Sequence, residues 1–564
     1  MTKFFLFVFI FLMFNTPLYA NDFFYSNDWL NCLYYEQNGA GYKSTAEDQK
    51  FFISAQGKSN PKSEYEESLK LVLKDDLTFK ERFPYRYKLI AKQNNIAYNP
   101  VVKIDKDITK VIIVYPNRYM GNPASMFGHL FLVLESNRGL LDSNILHFTA
   151  ETDNDRSVNY MIKGLTGQYK GWFLEEAYYK KIKYYNYFED RDIVYYDLKL
   201  SEDQIEDLQL HYIELTNTYF NYYFVDKNCA FYIGKLLNVV INPNIITNRI
   251  YMMPSHVIND LFDYKLLKNE KTRISNTKTF NVMFNNLNRK QKGEVVDLLN
   301  NKTDDIVDDA DVLKTYITCS EYMINNNSEL ADTIRYNRIQ AYKKMCSMNK
   351  PVARVTIVKK EKADRIQSGS IKLSRTFNDN YEFQYNPIYF SEYDQLDKLE
   401  VVRVKCFGVK VKLDENRAPL YTLDLLDLVN ISQYNEVLNS FSWKIKTELA
   451  YSDSLLGNQE FYVGMGWNYL NRGLYYYLVG LNISNYDSMS GDKLENIKVM
   501  PGINIGLNLN VIENVRLSTL YEYKFEKNHF TIEALYKHDM LLSTLAFIDC
   551  NSLKTIKLSF EYLY

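Results

Sequence analysis

The chain lacks any basic block, and its formal net charge is only -2 over 564 residues. A partner with a phosphate backbone calls for clustered Lys and Arg, so nucleic-acid binding is not expected. Beyond the first twenty residues no stretch reaches the ~18–20 consecutive apolar residues of a membrane helix, so no helical anchor is expected in the mature chain. None of the six cysteines shows CxxC spacing, and no Cys/His group has zinc-ligand spacing. Neither a metal nor a cofactor is expected. The glycine-rich stretch Gly164 to Trp172 lacks the Gly-Lys-Ser/Thr ending of a phosphate loop. Its glycines point instead to a tight loop, or to close approach of backbone to substrate.

What is present begins with a leader. Lys3, the run FFLFVFIFLMF and the small-residue exit Pro17 to Ala20 read as a secretory signal peptide over residues 1–20, cleaved after Ala20. No cysteine directly follows that point, where Asn21 stands, so the chain is not expected to be a lipoprotein itself. Export places Cys32, Cys229, Cys319, Cys346, Cys406 and Cys550 in an oxidising compartment. Cys319 and Cys346 share a helical region and are the expected disulfide pair. A chain this long exceeds one ordinary core, so two or three domains are expected.

Residues 21–105 read as a small helical cap. DWLNCLYYE and SEYEESLKLVLKDD are its helices, the second with Ser63 and Glu66 as a capping box. Strand patterns follow in KVIIVYP, NILHFTAET and DIVYYDLKL. Ser201 and Gln204 form a capping box on a helix with Ile205, Leu208, Tyr212 and Leu215 along one face.

Two residues stand out chemically. His129 closes NPASMFGH and opens the apolar run LFLVL. Cys229 follows Asn228 and heads CAFYIGKLLNVV. A thiol at a helix N-terminus sits at the positive end of the macrodipole, which favours thiolate. A histidine held by a packed strand can serve as general base. Asn228 and Ser125 are candidate oxyanion or support groups, Asn228 equally a helix N-cap. Glu189, Arg191 and Asp192 form a charged cluster expected to pair internally. His256, beside Pro254 and Ser255, reads as a helix-start residue.

The blocks PASMFGH, GLTGQYKGWF, EDRD and DKNCAFYIGKLL occur in order between Thr109 and Val240. They resemble the periplasmic domain of the bacterial lipoprotein N-acyltransferase (Lnb) family. The resemblance implies an α+β, permuted papain-like thiol fold with histidine before cysteine. It implies Cys229 as nucleophile, His129 as base and a polar orienter on the next strand. His147 is the first candidate for that orienter; the family more often has Asn there, which keeps Asn144 open. The resulting organisation is a signal peptide at 1–20, a cap at 21–105, a catalytic domain at 106–245, a helical extension at 246–350 and a β-barrel at 351–564.

The last part has a period of two. Ile556, Leu558, Phe560, Tyr562 and Tyr564 alternate with Thr555, Lys557, Ser559 and Glu561. Phe441, Trp443, Ile445, Leu449 and Tyr451 alternate with Ser442, Lys444, Lys446 and Glu448. Segments of about 9–13 residues with aromatic ends suit tilted strands of an outer-membrane barrel, and roughly a dozen are expected. A soluble sandwich with the apolar face inward shows the same alternation. Pro501 within a strand counts against a regular barrel there. Three functions remain open from residues alone. They are a thiol acyltransferase acting on lipoprotein or phospholipid acyl chains, an envelope cysteine peptidase or amidase, and a non-enzymatic barrel with a thiol-fold plug.

Overall fold

The structure, a computed structural model, describes residues 22–564 except 119–125, 153–157, 242, 304–305, 327–330, 349–356, 361–364, 378–379, 391–399, 415–416, 435–436, 439, 452–454, 470–472, 487–492, 513, 525–526 and 551–552. The leader and Ser125 lie outside the described residues. The chain divides into two units. The first runs to Ile274 and regains Ile357–Asp364; the second comprises Ser275–Thr356 and Arg365–Tyr564.

The first unit opens with α1 (Asn27–Cys32), the hairpin β1 (Tyr35–Asn38) and β2 (Gly41–Ser44), then α2 (Pro61–Leu73), α3 (Leu77–Arg82) and α4 (Pro84–Gln93). Helix α2 starts earlier than the capping box anticipates. Pro61 occupies its first turn and the Asn60 side chain accepts from Ser63 N, so Ser63 lies inside the helix. The sheet is built from β3 (Ile108–Pro116), β4 (Phe131–Ser136), β5 (Asn144–Ala150), β6 (Tyr169–Ala177), β7 (Ile193–Leu198), β8 (Tyr219–Tyr222), β9 (Leu267–Arg273) and β10 (Ile357–Lys360). Its order is β10-β9-β7-β3-β4-β5-β6-β8, antiparallel throughout.

Both faces of the sheet centre are covered, which explains why Val111 to Tyr115 read as a continuous apolar run rather than an alternating one. On one face Ile112, Val114, Phe131, Val133 and Ile145 pack with Tyr178 and Ile182 of α6 (Tyr178–Lys183) and with Tyr185. On the other lie α7 (Glu202–Leu215) and α8 (Cys229–Val240). There the Phe148 ring stands 4.2 Å from that of Tyr232. The Ser201–Gln204 capping box forms with both hydrogen bonds.

The GLTGQYKGWF block is not one loop. Gly164 sits on α5, a helix over Val158–Thr166, Gly167 turns the chain with φ +72, and Gly171 lies within β6. Their missing side chains admit the protein's own rings. A Cβ on Gly164 would run into Phe224, and one on Gly171 into Phe148.

A buried charge cluster ties α2 and α4 to α7. Arg86 reaches Glu64 at 3.2 Å and Glu214 at 3.3 Å, all three side chains being fully buried. Its guanidinium lies between the Phe51 and Phe83 rings. Cys32 and His211 approach the same Glu214 carboxylate, at 3.8 and 3.3 Å. Ligand-type atoms thus converge there, but the guanidinium already supplies the cation. Arg86→Met should cost about 3–5 kcal/mol, because two carboxylates are left buried without their partner. Chemical unfolding of the purified protein checks this; a cost within experimental scatter would contradict the assignment.

The second unit starts with α10 (Asn276–Asn286), α11 (Arg289–Leu299), α12 (Ala310–Asn326) and α13 (Ala331–Ser347). Phe280, Leu298, Leu313 and Tyr316 form their core together with Val437. The Cys319–Cys346 disulfide does not form, and all six cysteines are free. Cys319 and Met345 point into this core while Cys346 is exposed. One residue's rotation about the helix separates Met345 from Cys346.

The barrel consists of β11 (Ser370–Thr376), β12 (Tyr381–Asn386), β13 (Ile388–Phe390), β14 (Glu400–Asp414), β15 (Arg417–Ser432), β16 (Ser442–Tyr451), β17 (Leu455–Tyr469), β18 (Gly473–Tyr486), β19 (Lys493–Ile512), β20 (Val515–Lys524), β21 (Lys527–His538), β22 (Leu541–Cys550) and β23 (Leu553–Leu563). Twelve of these, all but the short β13, close a ring through the β11–β23 and β12–β14 pairings. Tyr564 seals the seam: its carbonyl accepts from Ser368 N and Gly369 N. The faces decide between the two readings of the alternation. Ile556, Leu558, Phe560 and Tyr562 point outward and are exposed, whereas Ser559 and Glu561 are buried inside. An apolar exterior around a polar interior is the pattern of a membrane barrel. Pro501 is accommodated because its register with β20 ends at Ile503, leaving only β18 alongside.

Candidate active site

Cys229 is the first residue of α8, and Asn228 caps that helix. The Asn228 Oδ1 accepts from Ala230 N at 3.0 Å and Phe231 N at 3.3 Å. Its Nδ2 donates to Phe224 O at 3.2 Å and Met252 O at 2.7 Å. Those four bonds satisfy the amide, so Asn228 supports the turn into the helix and spans the two loops beside it.

The Cys229 thiol is buried, and the backbone N–H of Leu130 is directed at its sulfur. The Tyr222 hydroxyl and the N–H groups of Ala230 and of Cys229 itself also lie near the sulfur and favour its ionised form. Cys229 N also donates to Tyr222 Oη at 3.4 Å. These donors and the helix terminus favour thiolate, as the sequence suggests. Burial outweighs them and pushes the thiol up to about 11. The helix terminus alone therefore does not set the state of this thiol; burial opposes it.

Leu130 is the neighbour of His129, so the histidine segment meets the nucleophile. Gly128 makes the approach feasible: its φ is +87, and a Cβ there would strike the Tyr115 ring. His129 N donates to Pro116 O at 3.3 Å. The imidazole lies 5.9 Å from the Tyr185 ring and 6.3 Å from that of Phe131. Burial, and then His147, Lys181 and Arg191 facing it, hold His129 well below the usual histidine range. A neutral imidazole retains the lone pair that a general base needs.

His147 sits opposite Phe131 in the β4–β5 register. Its Nε2 is 3.3 Å from Glu176 Oε1, and Lys181 Nζ is 3.5 Å from Glu176 Oε2. Burial, then Lys181, lowers His147 to about 4 against the opposing pull of Glu176. Asn144 lies three residues back, opposite Leu134, and donates to the exposed Glu175 at 2.6 Å. Leu130 thus brings the His129 segment to Cys229, His147 faces His129, and Asn144 stays at the start of β5.

Glu189 and Arg191 pair at 2.6 Å, and Arg191 also donates to Asn117 O at 3.3 Å. The guanidinium stands 5.2 Å from the Tyr185 ring. Tyr185 lies within a π-helical turn over Tyr184–Phe188, a departure common at functional sites. His256 lies in the first turn of α9 (Pro254–Asp263), where its Nδ1 accepts from Met253 N at 3.3 Å.

Sequence reasoning missed Glu176, Lys181, Tyr185 and Tyr222. Tyr222 is one of 49 tyrosines, and no spacing marks it. Also unforeseen is an exposed apolar rim made of Ile162 and Leu165 on α5, Val225 and Ile250. Phe224 N bonds Gly164 O at 2.9 Å and Met252 N bonds Val225 O at 2.8 Å, so the rim is tied to the loops that Asn228 spans.

The raised thiol has a direct consequence. Alkylation of Cys229 should climb steadily with pH through pH 9, since thiolate forms only as pH approaches the raised value. Mass spectrometry after timed iodoacetamide pulses measures this. A rate already at its plateau near pH 6 would contradict it.

Residues 100–270 match the family model described as the Lnb N-terminal periplasmic domain. Residues 22–93 and 374–560 match two domains of unknown function, DUF7843 and DUF7840. No curated protein matches the chain. Among solved structures the chain is similar to the KdgM porin, at 11% identity over 35% of this chain and 99% of that one, with a TM-score of 0.24. It is similar to the Acinetobacter baumannii outer membrane protein Omp33 at 8% identity over 35% and 98%, TM-score 0.22. The NanC porin follows at 6% over 35% and 99%, TM-score 0.23. With a matched periplasmic domain and a closed barrel that is apolar outside and polar within, this is an exported envelope protein of the periplasm and outer membrane.

Proposed function

We propose that the first unit is a permuted papain-like thiol acyltransferase that moves a fatty acyl group from a lipid ester to an amine. One observation carries the reading: the His129 segment meets the Cys229 thiol beside loops that present exposed apolar side chains. His129 takes the thiol proton as sulfur attacks the ester carbonyl. The C–S bond forms, the C–O bond breaks, and the imidazolium returns its proton to the leaving alkoxide. The amine then attacks the thioester. A C–N bond forms, the C–S bond breaks, and the amine's proton passes through His129 back to sulfur. The Cys229 N–H and the Tyr222 hydroxyl that it bonds suit the oxyanion, while the Asn228 cap holds the next two N–H groups. His147, steered by Glu176, orients the His129 neighbourhood as a positioning residue. Ser125 stays a candidate donor, as the resemblance to the lipoprotein N-acyltransferase family keeps it near the histidine in sequence.

An apolar rim favours an acyl chain over a peptide, and water must be kept from the thioester for an amine to win. Purified protein given a phospholipid and a diacylated lipopeptide should yield a peptide heavier by one fatty acyl group. Release of peptide fragments with no acylated product would transfer the assignment to the peptidase reading.

A further inference from the structure

We propose that the barrel is a closed anchor whose lumen is sealed by paired charges, and that it conducts no solute. A ring of twelve strands can enclose a water-filled channel, in which lumen side chains are wetted. Here they are not. Among the described residues Asp424, Asn458, Asn482, Tyr462 and Glu460 are at most 1% exposed although they face the interior.

The seal is built from ion pairs along and between neighbouring strands, some of which reach over intervening strands. Glu460 on β17 is 2.7 Å from Lys444 on β16 and 2.9 Å from Lys524 on β20. Lys444 also reaches Glu522, on β20, at 3.6 Å. Strands β18 and β19 lie between β17 and β20 in the ring, so the Glu460–Lys524 and Lys444–Glu522 pairs leave the wall and cut a chord through the interior. A second layer joins Lys446 and Lys410 to Glu448 at 2.6 and 3.7 Å, with Lys405 on Asp424. Gln384 on β12 reaches the same Asp424 at 3.4 Å. Two aromatic rings add to this packing. Tyr462 lies over Gly502 and donates to Asn482 Oδ1 at 2.9 Å, and Tyr476 lies over Gly506; a Cβ at either glycine would strike the ring.

Each buried charge in this network has an opposite charge within 4 Å. Opening a channel would strip those partners and leave buried ions alone, which is strongly unfavourable. A selective pore needs the reverse arrangement: binding weak enough for ions to enter and leave.

The test is electrical. The full chain, reconstituted in planar bilayers in concentrated KCl, should show no conductance steps, while heat-modifiable gel mobility reports that it is folded. The variant carrying Lys444→Ser, Glu460→Ser, Glu522→Ser and Lys524→Ser removes two charges of each sign. It should raise conductance about tenfold or more above the wild-type background. Regular steps from the wild type would overturn the proposal. So would a folded quadruple variant as silent as the wild type. If that variant does not fold, the wild-type recording and swelling of sugar-loaded proteoliposomes decide by themselves.

Discussion

Cys229→Ser should abolish acyl transfer, lowering turnover by about 10³-fold or more, while export and gel mobility stay as in the wild type. Serine retains the shape of the residue, so α8 and its Asn228 cap have no reason to move. It loses the nucleophile, because a hydroxyl is a far weaker one without a matched base. His129→Ala should cost about 10²–10⁴-fold, the usual worth of a general base. Its effect should be greatest in this protein near neutral pH, where burial keeps the thiol protonated. Raising the pH should partly rescue His129→Ala, since hydroxide then forms the thiolate directly. Transfer of labelled acyl groups to a lipopeptide measures both variants. Full activity in either one would remove that residue from the chemistry.

The second large effect concerns the barrel wall. Val479 on β18 faces outward, and its partner across the ladder, Ile503 on β19, does the same. Val479→Arg should destabilise the barrel in lipid by about 2–4 kcal/mol if the position lies near the bilayer midplane. Neutral Val479→Leu should be tolerated, as it keeps the outward surface apolar. Unfolding by denaturant in phospholipid vesicles gives both values. An arginine accepted without loss would mean that this face meets water.

The barrel is legible in the chain because its strands repeat one simple period. The alternation of Ile556 to Tyr562 with Lys557 to Glu561 tells of two-faced strands. It does not say which face points outward, since closure depends on pairings such as Ser370 with Leu563, far apart in sequence. The Ser201–Gln204 cap is local and forms as read. The Ser63–Glu66 cap fails because Asn60 and Pro61 start the helix three residues sooner. At the site, Cys229 and His129 are visible through their flanking motifs. Glu176, Lys181 and Tyr222 are not, because strand neighbours and helix packing bring them in and no local pattern records it. The thiol's protonation state is misread for a related reason. A helix N-terminus can be recognised in sequence, whereas the burial that overrides it belongs to the assembled fold.

The most direct measurement is the mass of the Cys229 peptide after the purified full chain is incubated with phospholipid in the absence of an amine acceptor. Proteolysis at low pH should recover that peptide heavier by one fatty acyl group, and hydroxylamine should remove the addition as expected for a thioester. The His129→Ala protein should accumulate much less of it at neutral pH. An unmodified Cys229 peptide from protein that is folded and embedded in lipid would contradict the account.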